Sequence, residues 1–444
     1  MGHLGHLKQE YRDLLRRLEG SQVTMPRPED HPAAVAAFRE LLEIYFSPEE
    51  AAIAARMPTK PVSFREVAER IDLPPAQLRH RLERMCDKGL VMDLVHPDTG
   101  KVRYYLAPPV VGFFEFSLMR THDMFPKKQV AEALDAYAHS SRSFAEEVFG
   151  GDTVVGRTLV REDAIIEEDR PDVLDYQRAT ALVESAEAVA VSICFCRHMA
   201  EHLGKDCDAP KEICLSLNAG AEYIARRNFG RSISRGEGLE LLAQARETGL
   251  VQIADNVQNR PTYICNCCGC CCGQLRAITD FDLPAVKPSG YVPRLDADRC
   301  KGCSKCSRAC PVTAVSMVAS RHVGRRKNDL QPRFDLERCI GCGVCAEVCK
   351  REALAMAAHG PRPHVPENVV ERITRMALER GRLDHLLAEQ GGDRGTRFVN
   401  AVLATLSRLP AADRLLAYEQ VRSRFVRMVL SRVRDPTAEL RPRP

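Results

Sequence analysis

Two cysteine-rich stretches of the chain share one spacing. Residues 300–311 read CKGCSKCSRACP, and residues 339–350 read CIGCGVCAEVCK. In each stretch, three cysteines are separated by two residues, and a fourth cysteine follows after three more. The likeness extends upstream, since PRLDADRC at 293–300 recurs 39 residues later as PRFDLERC at 332–339. The sequence therefore contains a duplicated half-domain in which the four cysteines of one copy match those of the other.

This spacing is typical of cubane iron–sulfur clusters. Three thiolates separated by two residues wrap a tight loop around one face of a cubane, and the fourth ligand comes from the other copy in a two-cluster arrangement. A zinc site normally pairs two C-x2-C knuckles instead, so zinc is the weaker reading here. We predict two [4Fe–4S] clusters with crosswise ligands. Their ligand sets are Cys300, Cys303, Cys306 and Cys349 for one, and Cys339, Cys342, Cys345 and Cys310 for the other.

Residues 291–358 resemble the bacterial two-cluster ferredoxin domain, and Gly302 and Gly341 are expected to adopt the φ values that such loops need. Lys350 departs from the family pattern, which has proline there, as at Pro311. The resemblance implies electron transfer as the function. Four basic residues surround the first loop and favour an acidic redox partner. They are Arg299, Lys301, Lys305 and Arg308.

Ten further cysteines lie ahead of this module. They are Cys194, Cys196, Cys207, Cys214, Cys265, Cys267, Cys268, Cys270, Cys271 and Cys272. Ten thiols suffice for two four-ligand sites, and the first four cysteines could form one site by themselves. Neighbouring cysteines point in different directions, so the six at 265–272 cannot all bind one metal. A third [4Fe–4S] cluster is the preferred prediction, with Zn or a dithiol redox centre as the alternatives.

The region from 173 to 273 is similar to an uncharacterised group of multi-cysteine iron–sulfur proteins from bacteria. The resemblance rests on the C-x-C-R motif at 194–197 and on ICNCCGCCC at 264–272. In that group the cysteine region precedes a two-cluster ferredoxin, which implies electron transfer without a defined substrate. His198, Glu201 and His202 also fit the H-x-x-E-H pattern of zinc peptidases, but a helix leaving a cluster loop is the favoured interpretation.

A winged helix–turn–helix domain is predicted near the N-terminus. Ser63 and Glu66 form a capping box, a second helix begins at Pro75, and a hairpin follows at 90–106. These elements resemble a winged helix, which implies DNA binding or protein docking by exposed polar residues. The candidates are Gln77, Arg79, His80, Arg81 and Arg84 on the second helix, with Lys101 and Arg103 on the wing. Cys86 is predicted to be buried and not a ligand.

The whole chain is predicted to be an α+β multidomain protein. Its 444 residues divide into an N-terminal helix and winged helix at 1–120, a mainly helical connector at 121–190 and a cysteine-rich α/β domain at 191–290. The ferredoxin domain follows at 291–358 and a helical region at 359–444. The net charge of +4 gives little support to DNA binding. The N-terminus lacks a signal-peptide core and no stretch is long and apolar enough to span a membrane, so a cytoplasmic location is expected.

The preferred function is an iron–sulfur relay component of a cytoplasmic oxidoreductase system, working with a redox partner protein. Two alternatives remain open. One is a redox- or cluster-sensing transcription regulator with the winged helix as its output. The other is a thiol/disulfide-active reductase whose chemistry resides at residues 265–272. No phosphate loop, dinucleotide fingerprint or flavin motif is present in the sequence, which favours the relay over a self-sufficient enzyme.

Overall fold

A computed structural model describes residues 7–21, 23–28, 31–96, 99–121, 124–320 and 329–382. These residues form a mixture of helices and sheets, in agreement with the predicted α+β class. The tail helix predicted at 396–433 lies outside the described residues. Within the described ranges, no helix combines the length and the apolar composition needed to cross a membrane.

Helices dominate the first part of the chain. They are α1 (Gln9–Leu18), α2 (Pro32–Tyr45) and α3 (Pro48–Ala54). The sequence predicts that Leu14, Leu15 and Leu18 share one face of α1, and all three are buried in the main hydrophobic core. The proline-containing break between α1 and α2 is also where the sequence predicts it.

A small three-stranded sheet follows. Its elements are β1 (Val62–Ser63), α4 (Phe64–Ala68), α5 (Pro75–Asp87), β2 (Val91–Val95) and β3 (Val102–Leu106). The strand order is β1-β3-β2, and both pairs are antiparallel. The Ser63 hydroxyl accepts a hydrogen bond from the Glu66 backbone amide, and the Glu66 carboxylate accepts one from the Ser63 backbone amide. The predicted capping box is therefore confirmed. The two helices and the hairpin occur where the sequence predicts them, and Cys86 is fully buried as expected.

Three helices connect this region to a larger sheet. They are α6 (Phe114–Phe116), α7 (Lys127–His139) and α8 (Arg142–Phe149). The sequence also predicts helix from 172 to 190, and that prediction is only partly right, since a 3-10 helix at Asp175–Gln177 precedes one short α-helix. The helix α9 covers only Ala179–Glu184, and strand β5 (Val189–Ile193) begins soon after it. Four consecutive residues, Val189 to Ser192, are all buried, which favours a fully buried strand over an amphipathic helix.

The larger sheet has seven strands. Besides β5, they are β4 (Gly156–Thr158), β6 (Glu212–Leu217), β7 (Arg231–Ile233), β8 (Val251–Asp255), β9 (Tyr263–Cys267) and β10 (Val286–Lys287). The order is β10-β4-β8-β9-β6-β5-β7. Only the edge pair β10–β4 is parallel. The cysteine-rich region is therefore not the predicted α/β domain, because its other strand pairs are antiparallel. Strand β4 also extends the sheet into the segment assigned to the connector.

Four helices surround the cysteines of this sheet. They are α10 (Phe195–His202), α11 (Ala219–Arg226), α12 (Arg235–Glu247) and α13 (Gly273–Phe281). Two of them begin directly after cysteines, since Cys194 is the N-cap of α10 and Cys272 is the N-cap of α13. Of the other cysteines, Cys214 lies within β6 and Cys265 and Cys267 lie in β9.

The duplicated module forms two antiparallel strand pairs. Its first copy contains β11 (Tyr291–Leu295), α14 (Lys305–Ala309) and β12 (Val315–Ala319). The second copy contains β13 (Leu330–Phe334), α15 (Val344–Glu347) and β14 (Leu354–Ala358), so every strand recurs 39 residues later. Strand β11 pairs with β14, and β12 pairs with β13. Each pair joins one strand from each copy, so the two copies are interlaced.

The last described helix, α16 (Val369–Glu379), packs on the sheet, as the sequence predicts for the tail. The sequence predicts an apolar stripe on this helix from Val369, Ile373, Met376 and Leu378, but the buried face differs from it. Met376 is buried as expected, but Glu371, Arg372 and Thr374 are buried with it. Arg372 forms an ion pair with Asp255 of β8, and this polar contact replaces a purely apolar one.

Candidate metal centres

The first candidate centre lies in the first cysteine loop. A cavity there is lined by Cys300, Cys303, Cys306 and Cys349. The first three come from one loop, and the fourth comes from the second copy. Apolar side chains from both copies close the rest of the cavity, among them Leu295, Met317 and Leu354. The four thiols and the cavity between them fit the thiolate ligation of a cubane cluster.

The second candidate centre gathers the other four cysteines. Cys310 of the first copy is electrostatically coupled to Cys339, Cys342 and Cys345 of the second. Burial raises the pKa of the Cys342 thiol to about 12 and that of Cys345 well above its usual range. These thiols therefore favour their neutral form unless a metal displaces the proton, as a metal does when it binds a thiol.

Backbone amides support the cysteine sulfurs. The Ala314 amide donates to the Cys310 sulfur at 3.2 Å. The Gly341 and Val344 amides likewise donate to the sulfurs of Cys339 and Cys342. Such donors stabilise thiolates and tune the potential of a bound cluster.

The two loop glycines have the positive φ values that the sequence predicts. Gly302 has φ +66° and Gly341 has φ +71°. A Cβ at Gly341 would lie 2.3 Å from the carbonyl oxygen of Tyr291, and one at Gly302 would lie 2.5 Å from that of Leu330. In both copies, the residue approached is the first residue of the first strand of the other copy. The loops are therefore held against the opposite half of the module.

One family model matches this part of the chain. Residues 292–350 match the family model of the 4Fe-4S dicluster domain. The chain carries a 4Fe-4S dicluster domain. The match covers both cysteine loops and ends before β14, and it supports iron–sulfur cluster binding there. No curated protein and no solved structure matches the chain.

The two loops of the dicluster domain have different surroundings. Cys303 is exposed, as are all four basic residues that the sequence places around the first loop. Arg299 pairs with Glu352 at the surface. The second loop faces the interior, where Arg161 is 4% exposed and forms an ion pair with Glu347. The Arg161 amide also donates to the carbonyl oxygen of Cys342 at 3.2 Å.

The ten upstream cysteines divide into a group of six and a group of four. In the group of six, hereafter the sextet, thiols interact pairwise along a chain. The order along this chain is Cys194, Cys196, Cys272, Cys267, Cys265 and Cys214. The alternating geometry of β9 explains part of the grouping, because Cys265 and Cys267 are two residues apart and share a face. The pKa of the Cys265 thiol lies well below its usual range, because Cys214 and Cys267 donate to its sulfur.

The group of four, hereafter the quartet, consists of Cys207, Cys268, Cys270 and Cys271. Their sulfurs all lie within 4.8 Å of one another. This grouping corrects the interpretation that the first four upstream cysteines form one site, because Cys207 lies apart from the other three. Within the run at 265–272, Cys267 belongs to the sextet and Cys268 to the quartet, and Cys272 is likewise separated from Cys270 and Cys271.

The cysteine region contacts the second loop of the dicluster domain. Cys267 and Cys272 belong to a hydrophobic core on which Cys310, Cys339 and Cys342 also pack. A Cβ at Gly269, between two quartet cysteines, would lie 2.6 Å from the carbonyl oxygen of Pro311. This contact occurs at Pro311, whereas the matching Lys350 is exposed. The Arg338 side chain donates to carbonyl oxygens of α13 and further joins the two regions.

A buried arginine lies between the sextet and the quartet. Arg197 is fully buried and donates to the carbonyl oxygen of Asn266 at 3.1 Å and to the Cys268 sulfur at 3.7 Å. Among the described residues, no carboxylate lies within ion-pair distance of Arg197. Burial lowers the pKa of this guanidinium, but Cys194 and Cys268 outweigh burial and raise it overall.

The residues of the H-x-x-E-H motif have hydrogen-bond and ion-pair partners within the protein. The buried His198 ring contacts the Leu118 carbonyl oxygen at 2.7 Å, and its other nitrogen lies 3.2 Å from His202. Glu201 points away and pairs with Lys211 at 2.6 Å. The sequence predicts that the polar side chains of this helix are exposed, but His198 is buried, and the three motif residues do not assemble a metal site. It ties α10 to the segment that follows the N-terminal hairpin.

The predicted nucleic-acid or partner contacts lie around α5 and the hairpin. Gln77, Arg79, His80, Arg84 and Lys101 are exposed. The remaining two candidates have acidic partners, since Arg81 pairs with Glu49 and Arg103 pairs with Glu66.

Acidic residues connect the predicted winged helix to the cysteine region. Asp93 of β2 is buried and forms ion pairs with Arg226 and Arg227. Arg227 also pairs with Glu83 and Asp87 of α5. Glu83 and Asp87 thus link the C-terminal half of α5 to Arg227, although both carboxylates stay exposed to solvent.

Sequence reasoning missed three charged residues near the cysteines. Arg161 and Arg197 are buried, and Glu115 is half-buried. Glu115 accepts a hydrogen bond from the Gly112 amide at 2.8 Å, and burial raises its pKa to about 8, with a smaller contribution from Cys265. Only the C-x-C-R motif gave any sign of these residues, since it includes Arg197.

Proposed function

We propose that the chain is an iron–sulfur electron-transfer protein that acts as a relay component of an oxidoreductase system. The observation that carries the proposal is the crosswise grouping of the dicluster cysteines. Cys349 lines the cavity of the first loop, while Cys310 accompanies the second loop. In this proposal the first cluster is held by Cys300, Cys303, Cys306 and Cys349, and the second by Cys339, Cys342, Cys345 and Cys310. Bound clusters supply one-electron chemistry at low potential.

The sextet is the proposed site of a further cysteine-ligated cluster. It lies in the region that contacts the second loop, because Arg338 of that loop donates to carbonyl oxygens of α13, the helix whose N-cap is Cys272. The two loops of the dicluster domain are linked in turn by a core that includes Cys306 and Cys345. These contacts support a relay in the order sextet, second loop, first loop.

The first loop is the proposed docking end for a redox partner protein. Cys303 is exposed there, and Lys301, Lys305 and Arg308 are exposed around it. An acidic partner surface would be attracted to this edge, and salt would weaken the association.

Cluster counting tests the proposal. The full chain, purified anaerobically, is expected to contain about twelve iron atoms and as many sulfides if the sextet holds a third cubane, and about eight if only the dicluster domain is loaded. Cys303→Ser and Cys265→Ser separate the two regions, because each should perturb the iron–sulfur signal of its own region in electron paramagnetic resonance (EPR). Cys86→Ala is the matched control, since Cys86 is buried and distant in sequence from both groups. Absence of iron and sulfide from the dicluster domain would reject the function.

A redox-sensing transcription regulator is the second candidate. The observation that favours it is the direct connection between the predicted winged helix and the cysteine region through Asp93, Arg226 and Arg227. Loss or reduction of a cluster could alter this contact and with it the exposed residues of α5. Footprinting with the oxidised and the reduced protein on genomic fragments tests this candidate. A sequence-specific footprint that responds to oxidation would rank it above the relay, and no footprint in either state would reject it.

A further inference from the structure

We propose that Cys207, Cys268, Cys270 and Cys271 hold a single tetrahedrally coordinated metal ion, separate from the iron–sulfur clusters. The chemistry required is that of one ion with four thiolate ligands, which Zn²⁺ and Fe²⁺ share. This site goes beyond the relay proposed above, because it stands whether or not the sextet binds a cluster.

The sulfur separations match one central ion. The Cys207 sulfur lies 3.7 Å from that of Cys268 and 3.9 Å from that of Cys271. The Cys270 and Cys271 sulfurs are 3.6 Å apart. Four sulfurs placed tetrahedrally at about 2.3 Å from a zinc ion would be about 3.8 Å apart. The four thiols therefore have the spacing of a mononuclear site before any ion is added.

A cubane cluster requires a different spacing. Each of its thiolates binds a different iron atom, so the four sulfurs lie farther apart than the ligands of one ion. Among the described residues, the quartet is the one group of three or more cysteine, histidine or acidic side chains whose ligand atoms all lie within 4.8 Å. The eight dicluster cysteines do not form such a group, nor do the sextet thiols. The quartet thus differs in kind from the cluster sites of the same chain.

The charge of Arg197 gives independent support. This guanidinium is fully buried, and its donors reach only the Cys268 sulfur and the Asn266 carbonyl oxygen. A buried cation is costly without a nearby anion. A divalent ion with four thiolates carries two net negative charges, so an occupied quartet would provide the anion. The Arg197 side chain is placed to stabilise that charge.

The proposed ion would connect two loops. Cys207 lies between α10 and β6, whereas the other three quartet cysteines lie between β9 and α13. The second loop includes Gly269, which contacts Pro311 of the dicluster domain. An ion in the quartet would therefore fix the loop that meets the dicluster domain beside Cys310.

Metal analysis of the full chain tests the proposal. Zinc, iron and sulfide per chain are measured for the anaerobically purified protein and for Cys270→Ser and Cys207→Ser. We expect each variant to lose one metal ion per chain with sulfide unchanged, and the element that is lost identifies the ion as zinc or iron. Cys270 is exposed, so its replacement should not disturb the fold. Cys86→Ala is the control that should retain every metal.

Two results would overturn the proposal. One is a loss of about four iron atoms together with about four sulfides from the quartet variants, since this would make the quartet a cluster site. The other is unchanged metal content in both variants. Cys265→Ser, measured in parallel, reads the sextet alone, so failure of the proposed third cluster is distinguishable from failure of the quartet site. If the quartet variants misfold, X-ray absorption at the zinc edge of the wild-type protein decides whether the quartet holds one ion or a cluster. A single shell of four sulfurs around zinc supports the proposed ion, and a metal–metal path overturns the proposal. Absence of a zinc signal also overturns it, unless one iron atom without sulfide remains after the dicluster iron is counted.

Discussion

Arg161 should raise the reduction potential of the cluster proposed at the second loop. A positive charge stabilises the extra electron of a reduced cluster, and Arg161 is almost completely shielded from solvent. At a separation of roughly 8 Å and an effective dielectric constant of about 20, one charge contributes about 2 kcal/mol. For a one-electron couple this corresponds to a shift of about 90 mV. Arg161→Gln is therefore expected to lower the potential by several tens of millivolts.

Potentiometric titration followed by EPR measures this shift in the anaerobically purified protein. Arg161→Lys is the charge-conserving control and should leave the potential close to the wild-type value. Glu347→Gln should shift it in the opposite direction, because it removes the negative partner, but by less, since Glu347 is 34% exposed and solvent screens its charge. An unchanged or raised potential in Arg161→Gln would refute the reasoning. A shift of the same sign in all three variants would indicate a structural effect instead of an electrostatic one.

Three other predictions follow from buried or strained positions. Asp93→Asn should reduce the free energy of unfolding by about 3–5 kcal/mol, because it leaves two arginines without their buried partner. Asp87→Asn, at the exposed end of the same network, should reduce it by at most about 1 kcal/mol. Chemical denaturation measures both changes. Gly341→Ala should remove the iron of one cluster, because Gly341 has φ +71° and an added Cβ would clash with neighbouring backbone atoms. Gly360→Ala, where φ is +65° but the surrounding space is open, should retain the iron in the same assay. Glu115 has a folded-state pKa of about 8, so its neutral form stabilises the fold below pH 4.5 and this contribution is lost as the pH rises through 8. Glu115→Gln should remove a slope of up to about 1.4 kcal/mol per pH unit between these values, and denaturation curves with an unchanged slope would contradict the assignment.

The duplicated module was predictable because its chemistry is local. Cysteine spacing, the 39-residue repeat and the glycines are all visible in the sequence, and the strands recur in the same register. The family match then covers the segment that the spacing predicts. The crosswise ligand sets stay a prediction until iron and ligand variants are measured.

The different surroundings of the two copies could not be read from the repeat. Arg299 and Arg338 occupy matching positions, but Arg299 pairs with Glu352 at the surface whereas Arg338 contacts the end of α13. Pro311 and Lys350 also match, and only Pro311 meets the cysteine region. These differences depend on which face of the module the larger sheet covers, and that is a property of tertiary packing. The departure at Lys350 is consistent with its position at the exposed end.

The division of the ten upstream cysteines shows where local rules end. Strand periodicity alone places Cys265 and Cys267 on one face of β9 and Asn266 on the other. The Asn266 side-chain amide donates to the Ile213 carbonyl oxygen on β6 at 2.7 Å. The strand ends at Cys267, so its periodicity does not extend to Cys268. The Cys268 thiol instead lies beside that of Cys207, which belongs to a loop distant in sequence. Long-range contacts of this kind carry no local pattern. The buried arginine at position 197 joins the two groups, because its C-x-C neighbours belong to the sextet while its guanidinium reaches the quartet. Because Arg197 interacts with cysteines of both groups, a change of charge on either group should change the electrostatic environment of the other.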